Sequence, residues 1–129
     1  LIDIPDGGEA IIRRNLLQEG PASANYHAVA FAAEGDKYEN SHITIEDNVI
    51  LMDRRYSIIV LTKGHVANFE RNVVIGDTRI YKFGAVNAAC GRSGNVCLPN
   101  VAEARKRGPL PLPRIDNLDS LLAETGLLR

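Results

Sequence analysis

The chain has 129 residues, of which 45% are hydrophobic, so it is long enough to form one domain with a substantial core. Its 15 Lys and Arg residues nearly balance its 16 Asp and Glu residues, and no strong overall charge favours nucleic acid or an anionic membrane. No apolar run reaches the roughly 18 residues that a membrane-spanning helix needs. We therefore expect neither a nucleic acid nor a membrane as partner.

The chain begins with Leu-Ile-Asp-Ile, a pattern typical of a β-strand. It has no initiator methionine, and no charged segment followed by the apolar stretch of a signal peptide. These features indicate a piece of a longer protein, and residues 1–8 are interpreted as the last strand of a preceding unit.

An internal repeat appears when Asn15, Asn48 and Asn72 are aligned. The aligned segments are AIIRRNLLQ, ITIEDNVIL and ANFERNVVI, each with an apolar residue three positions before the asparagine and two apolar residues after it. The spacings are 48 − 15 = 33 and 72 − 48 = 24 residues, and they differ as loop insertions would make them differ. Such a repeat predicts stacked, equivalent structural units.

Each repeat carries a further short apolar segment: AVAF at 28–31, SIIVL at 57–61 and TRIYKF at 78–83. Three short strands per repeat of about two dozen residues predict one coil of a parallel β-solenoid. The fold class is therefore all-β, with about three coils in residues 1–84. Because its end coils would leave strand edges open, a homo-oligomer formed by edge pairing is an additional prediction.

Each aligned asparagine is predicted to form a corner between two strands, because asparagine tolerates the left-handed backbone conformation. Stacked coils would place the three side-chain amides one above another, where each can donate to one neighbour and accept from the other. Asn15, Asn48 and Asn72 are therefore assigned a structural role.

The column just before these asparagines alternates in sign, with Arg14, Asp47 and Arg71. In a stack this predicts a favourable charge ladder of a few tenths of a kcal/mol per exposed pair. One column earlier, Glu46 faces Arg13 favourably but faces Glu70 with the same charge.

Residues 85–129 are predicted to cap the coils with a loop, the proline-rich PLPLPR and a short helix within 116–129. The basic ARKR at 104–107 is interpreted as a solvated loop rather than a nucleic-acid patch, because no aromatic residues accompany it.

Cys90 and Cys97 enclose the segment GRSGNV. Their spacing favours a small disulfide loop slightly over two free thiols. Neither a nearby histidine nor a CxxC pair suggests a zinc site.

The sequence resembles the right-handed parallel β-helix repeat proteins of the pectate-lyase-like group. The resemblance rests on GGEAIIRRNLLQEGP, AFAAEG, ITIEDNVILMDRR and FERNVVIGD, and it covers roughly residues 4–83. It implies a right-handed parallel β-helix from a secreted or periplasmic protein that processes or binds acidic or neutral polysaccharide. The arginine and paired-aspartate motifs of the group's well-known lyases and epimerases are not found here.

In the catalytic members of this group the first face lines the substrate groove, and SIIVL would lie on that face. The flanking turns MDRRY and TKGHV supply Arg54, Arg55, Lys63 and His65. These are the candidate catalytic residues, since cationic side chains can grip uronate carboxylates and an Arg or Lys of lowered pKa can act as base. The alternative is that they are ordinary solvated turn residues.

Further candidates are assigned to substrate binding, and the tyrosine, histidine and glutamate among them could also do acid–base work. Asp53 and Asp77 each follow their asparagine by five residues, so they would stack and could share a calcium ion, bind sugar hydroxyls, or simply cap tight turns. Calcium is the only cofactor that the sequence suggests. The longer turns around AVAF supply four more candidate binding residues and one further histidine: Tyr26, His27, Glu34, Lys37 and His42.

Two functions remain open at this point. The chain is either a polysaccharide lyase or epimerase, or a non-catalytic part of such a protein that binds carbohydrate or completes its coils. A rival fold is an antiparallel β-sandwich that serves as a carbohydrate-binding or interaction module, which also has short strands at regular spacing.

Overall fold

The computed structural model describes residues 1–52, 57–76 and 90–107. Within these ranges the chain is all-β, with ten short strands and one helix. The elements are β1 Ile2–Ile4, β2 Glu9–Arg13, β3 Leu16–Glu19, β4 His27–Phe31, β5 His42–Glu46, β6 Val49–Met52, β7 Ile58–Thr62, β8 His65–Glu70, β9 Val73–Ile75, β10 Val96–Leu98 and α1 Val101–Arg107.

The strands form three parallel sheets. The first sheet has the order β1-β4-β7, the second β2-β5-β8, and the third β10-β9-β6-β3. From β1 to β9, consecutive strands lie in different sheets, so the chain visits the three sheets in the same order on each of three passes. Every pairing within the described ranges is parallel. The prediction of short parallel strands is therefore confirmed, and the antiparallel arrangement of the rival sandwich is wrong.

The core collects apolar side chains from all three sheets. Ile12, Ile45 and Phe69 occupy equivalent positions in the second sheet and are all buried. Strand β5 alternates between buried and partly exposed residues, whereas all four residues of β6 are buried. A strand that is covered on both faces needs apolar residues at every position, which explains why the sequence stops alternating after Asn48.

The bend before the third sheet is made by the residue that precedes each asparagine, not by the asparagine itself. Arg14, Asp47 and Arg71 have φ angles of 55°, 56° and 50°, and Gly94 has 72°. The sequence prediction that the asparagines adopt the left-handed conformation is therefore wrong by one position. Backbone pairing continues through the bend, since Asp47 N–H donates to the Glu70 carbonyl at 3.1 Å.

The asparagine side chains form a ladder, as predicted, and the ladder has four members. The Nδ2 of Asn15 donates to Asn48 Oδ1 at 3.1 Å, Asn48 donates to Asn72 at 3.0 Å, and Asn72 donates to Asn95 at 3.3 Å. Each accepting oxygen also receives the backbone N–H of the preceding asparagine, at 2.9–3.0 Å. The side-chain amide oxygens thus accept hydrogen bonds from backbone N–H groups that the bend would otherwise leave without a partner.

Asn95 was missed in the sequence because Arg92 stands where the other copies have an apolar residue. Its signal is the segment after it, Val-Cys-Leu, which repeats the apolar run of the other three copies. That segment is β10, which pairs with β9 and extends the third sheet. The third sheet therefore continues the repeat beyond Phe83.

The C-terminal part of the described chain differs from its prediction in one respect and agrees in another. Cys90 and Cys97 form a disulfide, with Cα atoms 5.6 Å apart. The ARKR cluster, predicted as a loop, lies in α1, whose start is capped by Asn100 Oδ1 accepting from Glu103 N–H at 2.9 Å. The predicted strand at 78–83 and the predicted helix within 116–129 lie outside the described residues.

Candidate functional site

The first sheet is flanked by a loop on each side. Residues 20–26 lead into β4, and residues 32–41 lead out of it towards β5. Because β4 has five residues, the two loops lie roughly 15 Å apart along the strand. The side chains that the sequence singled out around AVAF are divided between these two loops.

Tyr26 and His27 lie at the entry side of β4. Their rings meet edge to face, with centroids 5.5 Å apart and an angle of 89° between the planes. Tyr26 is exposed, while the Nδ1 atom of His27 is buried and has no hydrogen-bond partner among the described residues. The pair therefore presents one accessible aromatic face backed by a histidine.

Glu19, at the end of β3, is a buried carboxylate that the sequence analysis did not single out. Its side chain accepts a hydrogen bond from Ser23 Oγ through Oε1. Its other oxygen, Oε2, is buried without a partner in the described part of the chain. Nothing in the sequence separates Glu19 from an ordinary exposed glutamate at a strand end.

The exit loop is held against the turn that follows β1. Glu34 N–H donates to the Pro5 carbonyl at 3.2 Å, and Lys37 N–H donates to the Asp6 carbonyl at 3.0 Å. The Lys37 ammonium also pairs with the Asp6 carboxylate at 2.6 Å, which raises the pKa of Lys37. The loop thus offers a fixed cation beside the exposed Glu34.

Tyr38 is a second exposed aromatic residue that the sequence analysis missed. Its side chain is 59% exposed, and its Cδ2 atom would lie 3.8 Å from a Cβ placed on Gly8. The signal was available, because Tyr38 directly follows Lys37 in a loop longer than its equivalents. Exposed tyrosine rings on ordered loops are typical of surfaces that recognise ligands.

The candidate catalytic residues are only partly described. Lys63 is exposed in the turn after β7, where Gly64 N–H donates to Thr62 Oγ1 at 2.8 Å. Arg54 and Arg55 lie outside the described residues, and so do Asp53 and Asp77, the proposed calcium ligands. His65 is described in its backbone alone, at the start of β8.

The described candidates do not converge on one point. Tyr26 and His27 lie at one end of β4, whereas Glu34, Lys37 and Lys63 lie beyond the other end of the first sheet. A single acid–base centre needs its groups within hydrogen-bond reach of one substrate atom. These residues instead form two separate polar groups at opposite ends of the first-sheet strands.

A second cluster of polar side chains is separate from the asparagine ladder, and its charged groups pair with one another. Arg71 binds Asp47 at 2.8 Å, Glu70 at 2.9 Å and Glu46 at 3.1 Å. Arg13 lies 3.6 Å from Glu46 on the other side. Of the predicted charge ladder, the contact between Asp47 and Arg71 is present, and the like-charged Glu46 and Glu70 are bridged by one guanidinium.

Replacement of Arg71 by alanine is expected to raise the pKa of Asp47. The hydrogen bond from Arg71 is the main reason why the pKa of this carboxyl lies below its ordinary value. A lowered pKa in the folded state adds stability above the ordinary carboxyl pKa of about 4, and this stability is lost as the pH falls through the folded-state value. In R71A the pKa of Asp47 lies closer to its ordinary value, so both this contribution to stability and its loss on acidification should be smaller.

Carboxyl-carbon NMR across an acid titration gives the Asp47 midpoint directly. The matched control is R13A, because Arg13 makes only a minor contribution to the low pKa of Asp47. Equal midpoints in R71A and R13A would contradict the assignment of Arg71 as the main partner.

Comparisons with known proteins give no relative. A scan of protein-family models finds no match, and searches of the curated proteins and of the solved structures find none either.

Among the described side chains there is no group of three or more His, Cys, Asp or Glu residues that could hold a metal ion. The described part of the chain also has no helix long and apolar enough to cross a membrane.

Proposed function

We propose that this chain is part of a right-handed parallel β-helix that binds polysaccharide along its first sheet and does not cleave it. The observation that carries the proposal is the order in which the chain visits the sheets. Because each pass from β1 to β9 adds one strand to every sheet, the described loops that leave the first sheet, residues 5–8, 32–41 and 63–64, follow neighbouring strands at one edge, and residues 20–26 enter it at the other. Two parallel edges fit an extended polymer better than a compact ligand.

The β-helix assignment is supported by the strand order and by the asparagine ladder. Three parallel sheets, filled in rotation, are what successive coils of such a helix produce. The ladder adds a side-chain stack at one corner, with the same bond repeated between Asn15, Asn48, Asn72 and Asn95. The resemblance of the sequence to the pectate-lyase-like group agrees with both observations.

The choice of polysaccharide is supported by the chemistry of the edges. Exposed Tyr26 and Tyr38 offer flat apolar faces, and Lys37 and Lys63 offer cations for the carboxylates of a uronate polymer. A secreted or periplasmic location is part of the proposal, and the Cys90–Cys97 disulfide supports it because such bonds persist in oxidising compartments.

Calorimetric titration of the purified chain with a uronate oligosaccharide and a neutral one, with and without calcium, tests this function. We expect binding of the uronate and no unsaturated product in the ultraviolet spectrum. K63A should weaken binding by roughly tenfold, the value of one charge-assisted contact. K106A is the matched control, because Lys106 is another exposed lysine and belongs to α1 instead of the first sheet.

Each other outcome has a defined meaning. An equal loss of affinity in K63A and K106A would reflect general charge attraction and would contradict a site on the first sheet. Binding that requires calcium would direct attention to Asp53 and Asp77. Formation of unsaturated product would show the lyase alternative instead, with Arg54, Arg55, Lys63 and His65 as the residues to replace. No binding to any sugar would contradict the proposal.

A further inference from the structure

The asparagine ladder ends in a free acceptor at its first member. Within the ladder, the Oδ1 of each later asparagine accepts from the backbone N–H and the Nδ2 of the asparagine one coil earlier. Asn15 donates to Asn48 and to the Arg13 carbonyl, and no described residue donates to its Oδ1. Asn15 is also exposed, whereas the other three members are buried. The first member therefore presents its acceptor to solvent.

At the other end of the ladder, the donors of Asn95 are used within its own turn. Its backbone N–H and its Nδ2 each donate to the Arg92 carbonyl at 2.9 Å, and Nδ2 also donates to the Phe69 carbonyl at 2.7 Å. The disulfide between Cys90 and Cys97 encloses this turn, and the following helix α1 contacts β10. A further asparagine beyond Asn95 would find no free donor, so the ladder is closed at this end and open at the other.

The charge column beside the ladder is also incomplete at its first member. Asp47 pairs with Arg71 of the next coil at 2.8 Å. Arg14 has the equivalent place one coil earlier, is exposed, and makes no ion pair with any described residue. Arg13, whose side chain is 59% exposed, adds a second positive charge at this end. Because the column alternates in sign, a carboxylate would complete it next to Arg14.

The strands of the first coil have free edges, and the core beneath them is partly exposed. β1, β2 and β3 are the end strands of the three described sheets. Four of their apolar residues pack against the core but are only partly buried: Ile2, Ile4, Ala10 and Leu17. The residues paired with these four in the next coil are completely buried. A segment that paired with the free edges would bury this apolar surface and satisfy the unpaired backbone groups.

We propose that this open end binds a parallel strand–turn–strand segment of another polypeptide, in which an acidic residue directly precedes an asparagine. The asparagine supplies the donors that Asn15 Oδ1 accepts, and the acidic residue pairs with Arg14. A second copy of this chain does not supply these groups, because its first member brings another acceptor and its last member donates to Arg92. The inference uses the coil arrangement on which the proposed function also rests, but not the binding of sugar.

A synthetic peptide of residues 42–52, HITIEDNVILM, is the probe, because it carries Asp47 and Asn48 between two strands of this fold. Two matched peptides carry D47R, which reverses the charge, or N48A, which removes the side-chain donor. Fluorescence anisotropy of the labelled peptides measures their binding to the intact chain. We expect the D47R peptide to bind about tenfold more weakly, the value of one charge-assisted contact, and the N48A peptide about fivefold more weakly.

Two variants of the chain assign the contacts. R14N removes the charge but keeps a residue type that tolerates the left-handed turn, and it should abolish the preference for Asp47 over D47R in the peptide. N15A should likewise abolish the preference for Asn48 over N48A, as a double-mutant cycle requires for a direct contact. R92N is the matched control, since it removes an exposed arginine at the closed end and should bind the peptides as the unmodified chain does. Circular dichroism verifies that each variant remains folded.

The proposal fails if none of the peptides binds, or if the D47R and N48A peptides bind as well as the original one. Equal losses in R14N and R92N would reflect general charge attraction and would also overturn it. These comparisons between peptides use the unmodified chain first, so they remain decisive even where a variant is unstable.

The place of binding is read from the side-chain amide signals in nitrogen-15 NMR. Those of Asn15 should shift with the peptide, while those of Asn72 stay in place. Shifts at Asn72 instead would mean that the peptide enters the middle of the stack, and would contradict the proposal. Sedimentation of the chain alone should show a monomer. A dimer that N15A dissociates would place a second copy, the homo-oligomer that the sequence predicts, at this end. Peptide binding and sugar binding use different surfaces, so each can fail without the other.

Discussion

Replacement of Gly76 by alanine is expected to destabilise the protein by about 4 kcal/mol, the sum of a strained backbone and an overpacked contact. Gly76 has a φ of 135°, which side chains other than hydrogen rarely permit. A Cβ at this position would lie 2.1 Å from the carbonyl oxygen of Met52 in the neighbouring strand. That oxygen belongs to the backbone of a buried strand and cannot move aside.

Glycine is required at this position for a second reason. Its N–H donates to the Leu98 carbonyl at 2.9 Å, which ties the end of β9 to the end of β10. A shift that relieved the new methyl group would also stretch this bond. Urea denaturation followed by circular dichroism measures the loss of stability.

Gly20→Ala is the matched control. A Cβ on Gly20 would meet no atom within 4 Å, and its backbone is not in the left-handed region. This substitution should change stability by less than 1 kcal/mol, in either direction. Similar losses in the two variants would show that the contact with Met52 is absent in solution.

Replacement of Asn72 by alanine is expected to cost about 3 kcal/mol, because it removes the buried partner of several polar groups at once. Asn72 is fully buried. Its Oδ1 accepts from the backbone N–H and the Nδ2 of Asn48, each at 3.0 Å, and its Nδ2 donates to the Ile45 carbonyl at 2.9 Å. Alanine leaves these groups in a site that water does not reach.

Asn15→Ala tests whether burial is the cause. Asn15 occupies the equivalent place at the exposed end of the ladder, where water replaces the lost bonds. We expect a loss of about 1 kcal/mol or less for this variant. Equal losses for Asn15 and Asn72, measured in the same urea series, would mean that the ladder contributes uniformly and that burial does not decide its strength.

The candidate site was predictable only in part. The loops around β4 were found because their extra length departs from the repeat, and Lys37 was correctly placed in one of them. The partner of Lys37 was not foreseen, since Asp6 is 31 residues away (37 − 6) and is brought near only by the stacking of two turns. Glu19 was missed because burial of a strand-end carboxylate depends on the loop that covers it.

By itself the sequence determined the periodicity of this protein. Apolar residues around three asparagines predict short parallel strands and an amide ladder, since both follow from residue types at fixed spacing. Tertiary structure decided where the chain bends, which residues line up across strands, and that Asn95 joins the ladder. These outcomes depend on register, because one extra residue, such as Ala67 in the bulge of β8, changes which side chains become neighbours.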